Sequence, residues 1–260
     1  MSLFYPLKIA DIRRETQDTV SIAFDVPAAL KTTYAFAQGQ YLNLQTRLAG
    51  KTICRSYSIH SSPASGELRV AIKHVQGGQF STFATTELSR GDTLDVSPPQ
   101  GGLVLEQHLT EQRDYLGVAM GSGITALLPL LGSILDSDPA GSFTLLYGAR
   151  TRAQMLFRQQ LEAKAQHYGG RLRLMLLFSR ENGDDGQPMG RLDALTCDKL
   201  FSDDLDAATL AGAFICGSHA MMETVRRSLL KAGLGADKIH AESLSATPQS
   251  ATPGTPQFTA

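Results

Sequence analysis

The sequence predicts two domains of different class: an antiparallel β-barrel or sandwich over 1–107, then a parallel sheet with crossover helices over 112–244, followed by a flexible Pro/Thr-rich stretch over 245–260. Three observations predict them. The chain has 260 residues, and at roughly 150 residues per domain that is room for two cores. Apolar and polar residues alternate through the first half, the period of strands with one buried face. From Asp114 this gives way to apolar runs each followed by a helical pattern, as a parallel sheet with crossovers requires.

In chain order, Val20, Ile22 and Phe24 alternate with Ser21 and Ala23, and Leu68, Val70 and Ile72 with Arg69 and Ala71. Turn residues at Ala64-Ser65-Gly66 and Arg90-Gly91-Asp92 punctuate these strands, as an antiparallel barrel or sandwich needs. A polar joint over 106–113 separates the halves. A strand at 115–120 then leads into a helix over 124–135, and a strand at 143–147 into a helix over 153–165. Strands at 172–178 and 213–216 continue the series, the last followed by Met222, Val225 and Leu229 at helical spacing. Beyond Leu244 the Ser, Thr, Pro and Gly composition cannot bury apolar area.

Composition narrows the function. Lys plus Arg number 24 against 25 Asp plus Glu, and the pI is near 6.6, so the basic excess of a nucleic-acid or anionic-membrane binder is missing. No signal h-region opens the chain and no run of about 18 uncharged apolar residues occurs, so a cytoplasmic protein is expected. Cys54, Cys197 and Cys216 are widely spaced and form no CxxC, which leaves neither a disulfide framework nor an iron–sulfur or zinc motif. The histidines His60, His74, His108, His167, His219 and His240 include no pair at i,i+4 spacing, so no metal site is predicted.

The most informative stretch is Arg55-Ser56-Tyr57-Ser58. On an alternating strand Arg55 and Tyr57 share one face, and a guanidinium beside an aromatic ring can clamp a phosphate and stack a planar heterocycle. Taken alone, the four residues read rather as an exposed strand with an ordinary Arg and Tyr. Gly77-Gly78-Gln79-Phe80-Ser81-Thr82 opens a short helix after a strand, where unpaired N–H groups suit a phosphate; the alternative is a capped helix after a tight turn. A turn, strand and proline-stiffened loop follow from Gly91 to Gly101. In the second half, glycines or charged residues follow the strands at Gly121-Ser122-Gly123-Ile124-Thr125, Tyr147-Gly148-Ala149-Arg150, Phe178-Ser179-Arg180-Glu181 and Phe214-Ile215-Cys216-Gly217-Ser218.

In this order and spacing the set resembles the ferredoxin–NADP reductase family over about residues 4–244. Met221-Met222, Ile239-His240 and the Pro/Thr-rich stretch look closest to reductase components of phenylacetyl-CoA oxygenase type, whose reductase module precedes a plant-type ferredoxin domain. The resemblance implies an antiparallel Greek-key flavin-binding barrel and a Rossmann-like nucleotide-binding domain. It implies that Arg55 holds the flavin phosphates, that Ser56 belongs to the cofactor-binding strand, that Tyr57 stacks on the isoalloxazine, and that Ser58 hydrogen-bonds near flavin N5. Gly77, Gly78 and Ser81 complete the FAD pyrophosphate site; Gly121, Gly123 and Thr125 receive the dinucleotide pyrophosphate. Cys216 and Gly217 lie by the nicotinamide, and Glu242 matches the family's C-terminal acid.

Two departures stand out. Ser218 occupies the place of the family's usual proline in Cys-Gly-Pro, and Leu244 that of an aromatic after the terminal acid. Cys216 also fits a small buried hydrophobe ending a strand, and Phe157 with Leu161 reads as core. Asp203, Asp204 and Asp206 read as a solvated loop or helix start.

The function implied is an FAD-dependent NAD(P)H oxidoreductase, with hydride passing from nicotinamide C4 to flavin N5 and electrons then to an acceptor. Ser179 and Arg180 after the third parallel strand, with Arg150 after its neighbour, favour NADPH, with NADH as the alternative. With only three cysteines the chain cannot build a four-cysteine cluster, so the expected partners are a 2Fe–2S ferredoxin domain or protein and an oxygenase component, with no nucleic acid and no membrane. A truncated or split reductase is the corresponding expectation for 245–260. The rival from another class is a non-catalytic flavin- or nucleotide-binding docking module. A Rossmann methyltransferase leaves Arg55-Ser56-Tyr57-Ser58 unexplained.

Overall fold

A computed structural model describes residues 3–101, 114–181, 190 and 192–243. The expected joint over 106–113, Leu244 and the stretch over 245–260 lie outside the described residues. The first half folds as strands β1 (Tyr5–Thr16), β2 (Thr19–Asp25), β3 (Tyr41–Leu48), β4 (Lys51–Ser58), β5 (Leu68–Lys73) and β6 (Thr93–Val96), with helix α1 (Gln79–Thr86) between the last two. Their order is β4-β3-β6-β1-β2-β5, all pairs antiparallel. An isolated bridge from Ile59 to Val70 joins the end of β4 to β5, which closes the sheet into a barrel and leaves no free edge there.

Alternation places Leu7, Ile9, Ile22, Leu44, Ile72 and Val96 inside, with Phe80 of α1 packed against them. The other faces of β2 and β5 are also buried, by polar contacts within the barrel and by the second domain. Arg69 is 3% exposed and its guanidinium donates to Ser21 Oγ (3.1 Å), Asp11 Oδ2 (2.5 Å) and Glu67 Oε2 (3.1 Å). Ala71 packs directly into the core of the second half.

That half contains β7 (Asp114–Met120), α2 (Ile124–Ser137), β8 (Ser142–Ala149), α3 (Arg158–Tyr168), β9 (Leu172–Phe178), α4 (Ala194–Lys199), β10 (Gly212–Gly217), α5 (His219–Lys231) and β11 (Ile239–Ser243). The sheet is parallel in the order β11-β10-β7-β8-β9. Its two faces carry separate cores, one built with α2 and α3 and the other with α4 and α5, so the sheet is doubly wound. Strand order reverses between β7 and β10, and in such sheets ligands bind in the crevice beyond the carboxyl ends at that point. Among the described residues no helix is long and apolar enough to cross a membrane.

The helix expected over 153–165 begins later than its periodicity predicts. Arg152–Gln154 form one 3-10 turn, Phe157 takes a left-handed conformation (φ 56°, ψ 28°), and only then does α3 start. Burial of Met155, Leu156 and Phe157 and a hydrogen bond from Leu156 N–H to Tyr147 Oη (3.0 Å) hold the chain off the helical path. Phe157 and Leu161 are core residues, as expected. The run at Asp203 and Asp204 ends a π-helical turn, Leu200–Asp204, that extends α4.

Candidate functional site

The first group of predicted residues sits where β4 ends near α1. Alternation turns Cys54 and Ser56 outward. Arg55 is partly exposed and its Nη1 donates to Cys54 O at 2.7 Å; among the described residues no carboxylate is paired with it. Ser56 Oγ donates to Asn43 Oδ1 (2.6 Å), and Asn43 Nδ2 donates to Gln100 Oε1 (3.1 Å). The Tyr57 ring lies 5.7 Å from that of Phe80 at 32°, and burial raises its phenol above the ordinary range. Ser58 is 4% exposed and its Oγ has no hydrogen-bond partner. A buried hydroxyl left unmet costs about 1–3 kcal/mol, so the position can take a further hydrogen-bond partner.

The glycine loop before α1 is shaped from within. Ser81 Oγ accepts from Val75 N–H (3.1 Å) and donates to Gly78 O (3.1 Å). A Cβ on Gly78 would meet that hydroxyl at 2.6 Å and Val75 O at 3.0 Å, so Gly78 is required for the close approach. The Ser81 hydroxyl thus fastens the loop. Gly77 (φ 74°) faces open space, and the first-turn N–H groups of α1 have no intrahelical acceptor.

The second group gathers at the carboxyl ends of β7, β10 and β11. Gly121 has φ 54°, a Cβ there would meet nothing within 4 Å, and its carbonyl accepts from Tyr147 Oη at 3.1 Å. Gly123 is pressed onto β10: a Cβ there would stand 2.1 Å from Cys216 O. Thr125 is 4% exposed and its hydroxyl donates to Ser122 O (2.8 Å), so it closes the turn. A Cβ on Gly217 would meet Met221 Cε at 2.4 Å.

Cys216 pairs in register with Glu242 across parallel strands, which puts both side chains on one face. Burial, helped by the Glu242 charge, pushes the Cys216 thiol up to about 12, so it is a neutral thiol at physiological pH and no nucleophile. Glu242 Oε2 is buried without a partner, and burial pushes its carboxyl up to about 7. Because the folded state holds this proton more tightly, the stabilisation is complete below about 4.5 and is lost as pH rises through about 7. Urea unfolding of the native protein and Glu242→Gln at pH 5 and pH 8 should therefore show the native chain losing stability relative to the variant at the higher pH. Parallel behaviour of the two proteins would contradict the assignment.

Arg150, Ser179 and Arg180 are exposed at the ends of β8 and β9. The ladder continues beyond the strands, with Ser179 N–H donating to Ala149 O (3.1 Å) and Arg180 N–H to Arg150 O (2.9 Å), which sets the two arginines side by side along the backbone. The nearby acid, Glu181, is turned into the loop, where Oε1 accepts from Arg152 N–H at 2.8 Å.

Sequence reasoning missed His60 and the structural part played by Tyr147. His60 is 6% exposed and its ring lies 4.5 Å from Phe157 of the other domain. Burial, with Arg69 nearby, pushes its imidazole down to about 3. No local signal marks this contact; the motif containing Tyr147 was visible, but its hydroxyl bonds were not. Among the described residues no His, Cys, Asp and Glu group has metal-binding geometry. A separate cleft of about 450 Å³ between the domains, lined by Arg13, His60, Pro129 and Lys164 among others, contains none of the predicted site residues.

Comparison with known proteins finds two family matches along the chain. Residues 6–105 match the oxidoreductase FAD-binding domain and residues 118–227 the oxidoreductase NAD-binding domain. The chain is 37% identical over 255 residues to one of the component chains of the 1,2-phenylacetyl-CoA epoxidase of Escherichia coli (strain K12), covering 98% of this chain and 70% of that protein. It is 30% identical over 244 residues to the ferredoxin reductase component of 3-ketosteroid-9-alpha-monooxygenase from Rhodococcus rhodochrous, covering 91% of this chain but 64% of the relative. Among solved structures, a ferredoxin NADP+ reductase from Neisseria gonorrhoeae with bound FAD and NADP superposes with a TM-score of 0.77 at 20% identity, over 94% of this chain and 100% of that one. At that identity the likeness concerns the fold.

Proposed function

Because the chain belongs to the family of oxidoreductases with FAD-binding and NAD-binding domains, two cofactor sites are expected on one molecule, and we propose that it is an NADPH-oxidising reductase serving an iron–sulfur acceptor of a multicomponent oxygenase. The observation that carries this reading is that two of the three buried, unpartnered side-chain polar atoms among the described residues, Ser58 Oγ and Glu242 Oε2, fall one in each predicted half-site, the third being His60 Nε2 at the domain contact. The residues fit the groups: Arg55 lacks a carboxylate among the described residues, and the glycine turns at Gly77 and Gly121 border open space. When bound, the flavin supplies hydride acceptance from a reduced nicotinamide and electron release to a one-electron acceptor.

Each residue then has a definite task. Arg55, with Ser56 beside it, holds the flavin phosphates as a charge-assisted donor. The Tyr57 ring, backed by Phe80, offers a flat stacking surface, and Ser58 Oγ donates a hydrogen bond near flavin N5. Backbone N–H groups at Gly77 and Gly78 receive the pyrophosphate of FAD, in a loop held by Ser81. Gly121, Gly123 and Thr125 form the turn that receives the second pyrophosphate, while Cys216 and Gly217 border the nicotinamide. Glu242, with its raised carboxyl, holds a proton at that edge near neutral pH. Arg150, Ser179 and Arg180 bind the 2′-phosphate of NADPH.

Arg180→Ala should lower the NADPH/NADH ratio of kcat/KM about tenfold, the scale of one charge-assisted hydrogen bond, while leaving NADH turnover nearly unchanged. An unaltered ratio would remove Arg180 from the specificity site. The wider reading is tested by an absorbance spectrum of the purified chain after FAD addition, then by NADPH oxidation with ferricyanide, and by cytochrome c reduction with and without an added plant-type 2Fe–2S ferredoxin. A yellow protein with ferredoxin-stimulated cytochrome c reduction is expected. Bound flavin without NADPH or NADH oxidation would instead favour a docking module.

A further inference from the structure

Phe157 is an aromatic residue in left-handed backbone (φ 56°) at the N-terminus of α3. Such strain persists only where surrounding packing dictates it, and it clusters at functional sites. The packing that dictates it here spans both domains. On one side the Phe157 ring lies against His60, with centroids 4.5 Å apart and planes at 30°; the two residues are 4% and 6% exposed. On the other side Leu156 N–H donates to Tyr147 Oη (3.0 Å), and Tyr147 Oη donates to Gly121 O (3.1 Å). The tyrosine hydroxyl is thereby both acceptor and donor, so a shift of the 155–157 segment is passed to the glycine turn.

His60 is equally constrained on the barrel side. It lies two residues beyond Ser58, its N–H donates to Arg69 O at 3.0 Å, and Ile59 between them is bridged to Val70. One run of contacts therefore connects the strand end carrying Ser58, through His60, Phe157, Leu156 and Tyr147, to Gly121. Apart from this stack, Gln38 Nε2 to Ser133 Oγ (2.9 Å) is a hydrogen bond between the domains, and it reaches α2 on its far side from the turn.

Resting on the cofactor sites proposed above, we infer that the His60–Phe157 contact is a positioning clasp that holds the nucleotide turn Gly121–Gly123 in register with the flavin-side strand end at Ser58. His60 acts through Phe157 and Tyr147, so its removal alters how well the two cofactors meet more than how tightly either binds. A ring that only fills space would affect overall stability without singling out the turn.

The test uses the full 260-residue chain reconstituted with FAD. His60→Ala removes the ring, His60→Phe keeps a ring for stacking, and Phe157→Gly removes the opposite ring while suiting left-handed backbone. Hydrogen exchange at residues 121–124 without nucleotide should accelerate at least tenfold in His60→Ala and in Phe157→Gly, with peptides from β1 unchanged, and His60→Phe should restore native protection. In anaerobic single turnover, His60→Ala should slow flavin reduction by NADPH about tenfold while equilibrium NADP+ affinity stays within threefold. Native exchange at 121–124 in both ring-deleted variants would overturn the clasp, as would uniform loosening of both domains that His60→Phe fails to repair. If one variant does not fold, the other carries the same comparison. Failure of the unsubstituted chain to take up FAD would instead defeat the cofactor reading, and the exchange data would still decide the clasp.

Discussion

Arg55→Ala should leave a folded protein that holds FAD about 10- to 100-fold more weakly, or about 1.5–3 kcal/mol. The fold has little to lose. The Arg55 side chain is partly exposed, and its hydrogen bond goes to the carbonyl of its own neighbour, Cys54. Arg69 on the adjacent part of the barrel is the opposite case, a guanidinium 3% exposed and bonded to Asp11, Glu67 and Ser21. Asp11 and Glu67 keep Arg13 as a partner, but removing Arg69 would leave its buried site empty and take a donor from Ser21, so a stability loss from Arg69→Ala and an affinity loss from Arg55→Ala are expected to separate cleanly. Fluorescence titration with FAD, beside thermal unfolding of each variant, makes the measurement. Unchanged FAD affinity in Arg55→Ala would sink the phosphate assignment.

What could be read from the sequence follows from the range of the forces involved. Strand periodicity is local, so the alternation at Val20, Ile22 and Phe24 and the apolar runs in the second half identify their strands. Glycine turns are local too, because a positive φ at Gly77 or Gly121 is a property of one residue. The beginning of α3 was not legible. Its periodicity extends back toward Ala153, yet a hydroxyl on another strand, that of Tyr147, captures Leu156 N–H and ends the helix short.

The same distinction separates residue types at the site from what their atoms do. Arg55, Ser58, Cys216 and Glu242 could be picked out by motif, but the unmet Ser58 Oγ and Glu242 Oε2 appear only once burial is known. Ser81 and Thr125 could equally have pointed outward. Their hydroxyls turn instead to Val75 and Gly78, and to Ser122, backbone groups that their own short loops bring within reach. The His60–Phe157 stack depends on the docking of two domains, which no window of sequence encodes.

Gly123→Ala should be the most damaging single-methyl change in the nucleotide half. Its Cβ would stand 2.1 Å from Cys216 O, 2.7 Å from Cys216 C and 3.3 Å from Gly217 N, all backbone atoms of β10 that cannot rotate away. The N-terminus of α2 would have to retreat from the sheet by about 1 Å, against an interior packed to crystal-like density. A cost of about 3 kcal/mol is expected, which for a chain of this size lowers the thermal midpoint by roughly 6–12 °C. Gly148→Ala is the informative comparison, because its equally close neighbour at 2.1 Å is Met120 Sδ, the movable part of a flexible side chain. That variant should lose less than half as much stability. Gly121→Ala meets no atom within 4 Å but must adopt φ 54°, so it should cost only about 1 kcal/mol. Nucleotide affinity should fall most in Gly123→Ala, while FAD binding, which draws on the other domain, stays near native. Equal thermal midpoints for Gly123→Ala and Gly148→Ala would mean that the turn does not press on β10, and that the glycine is there for another reason.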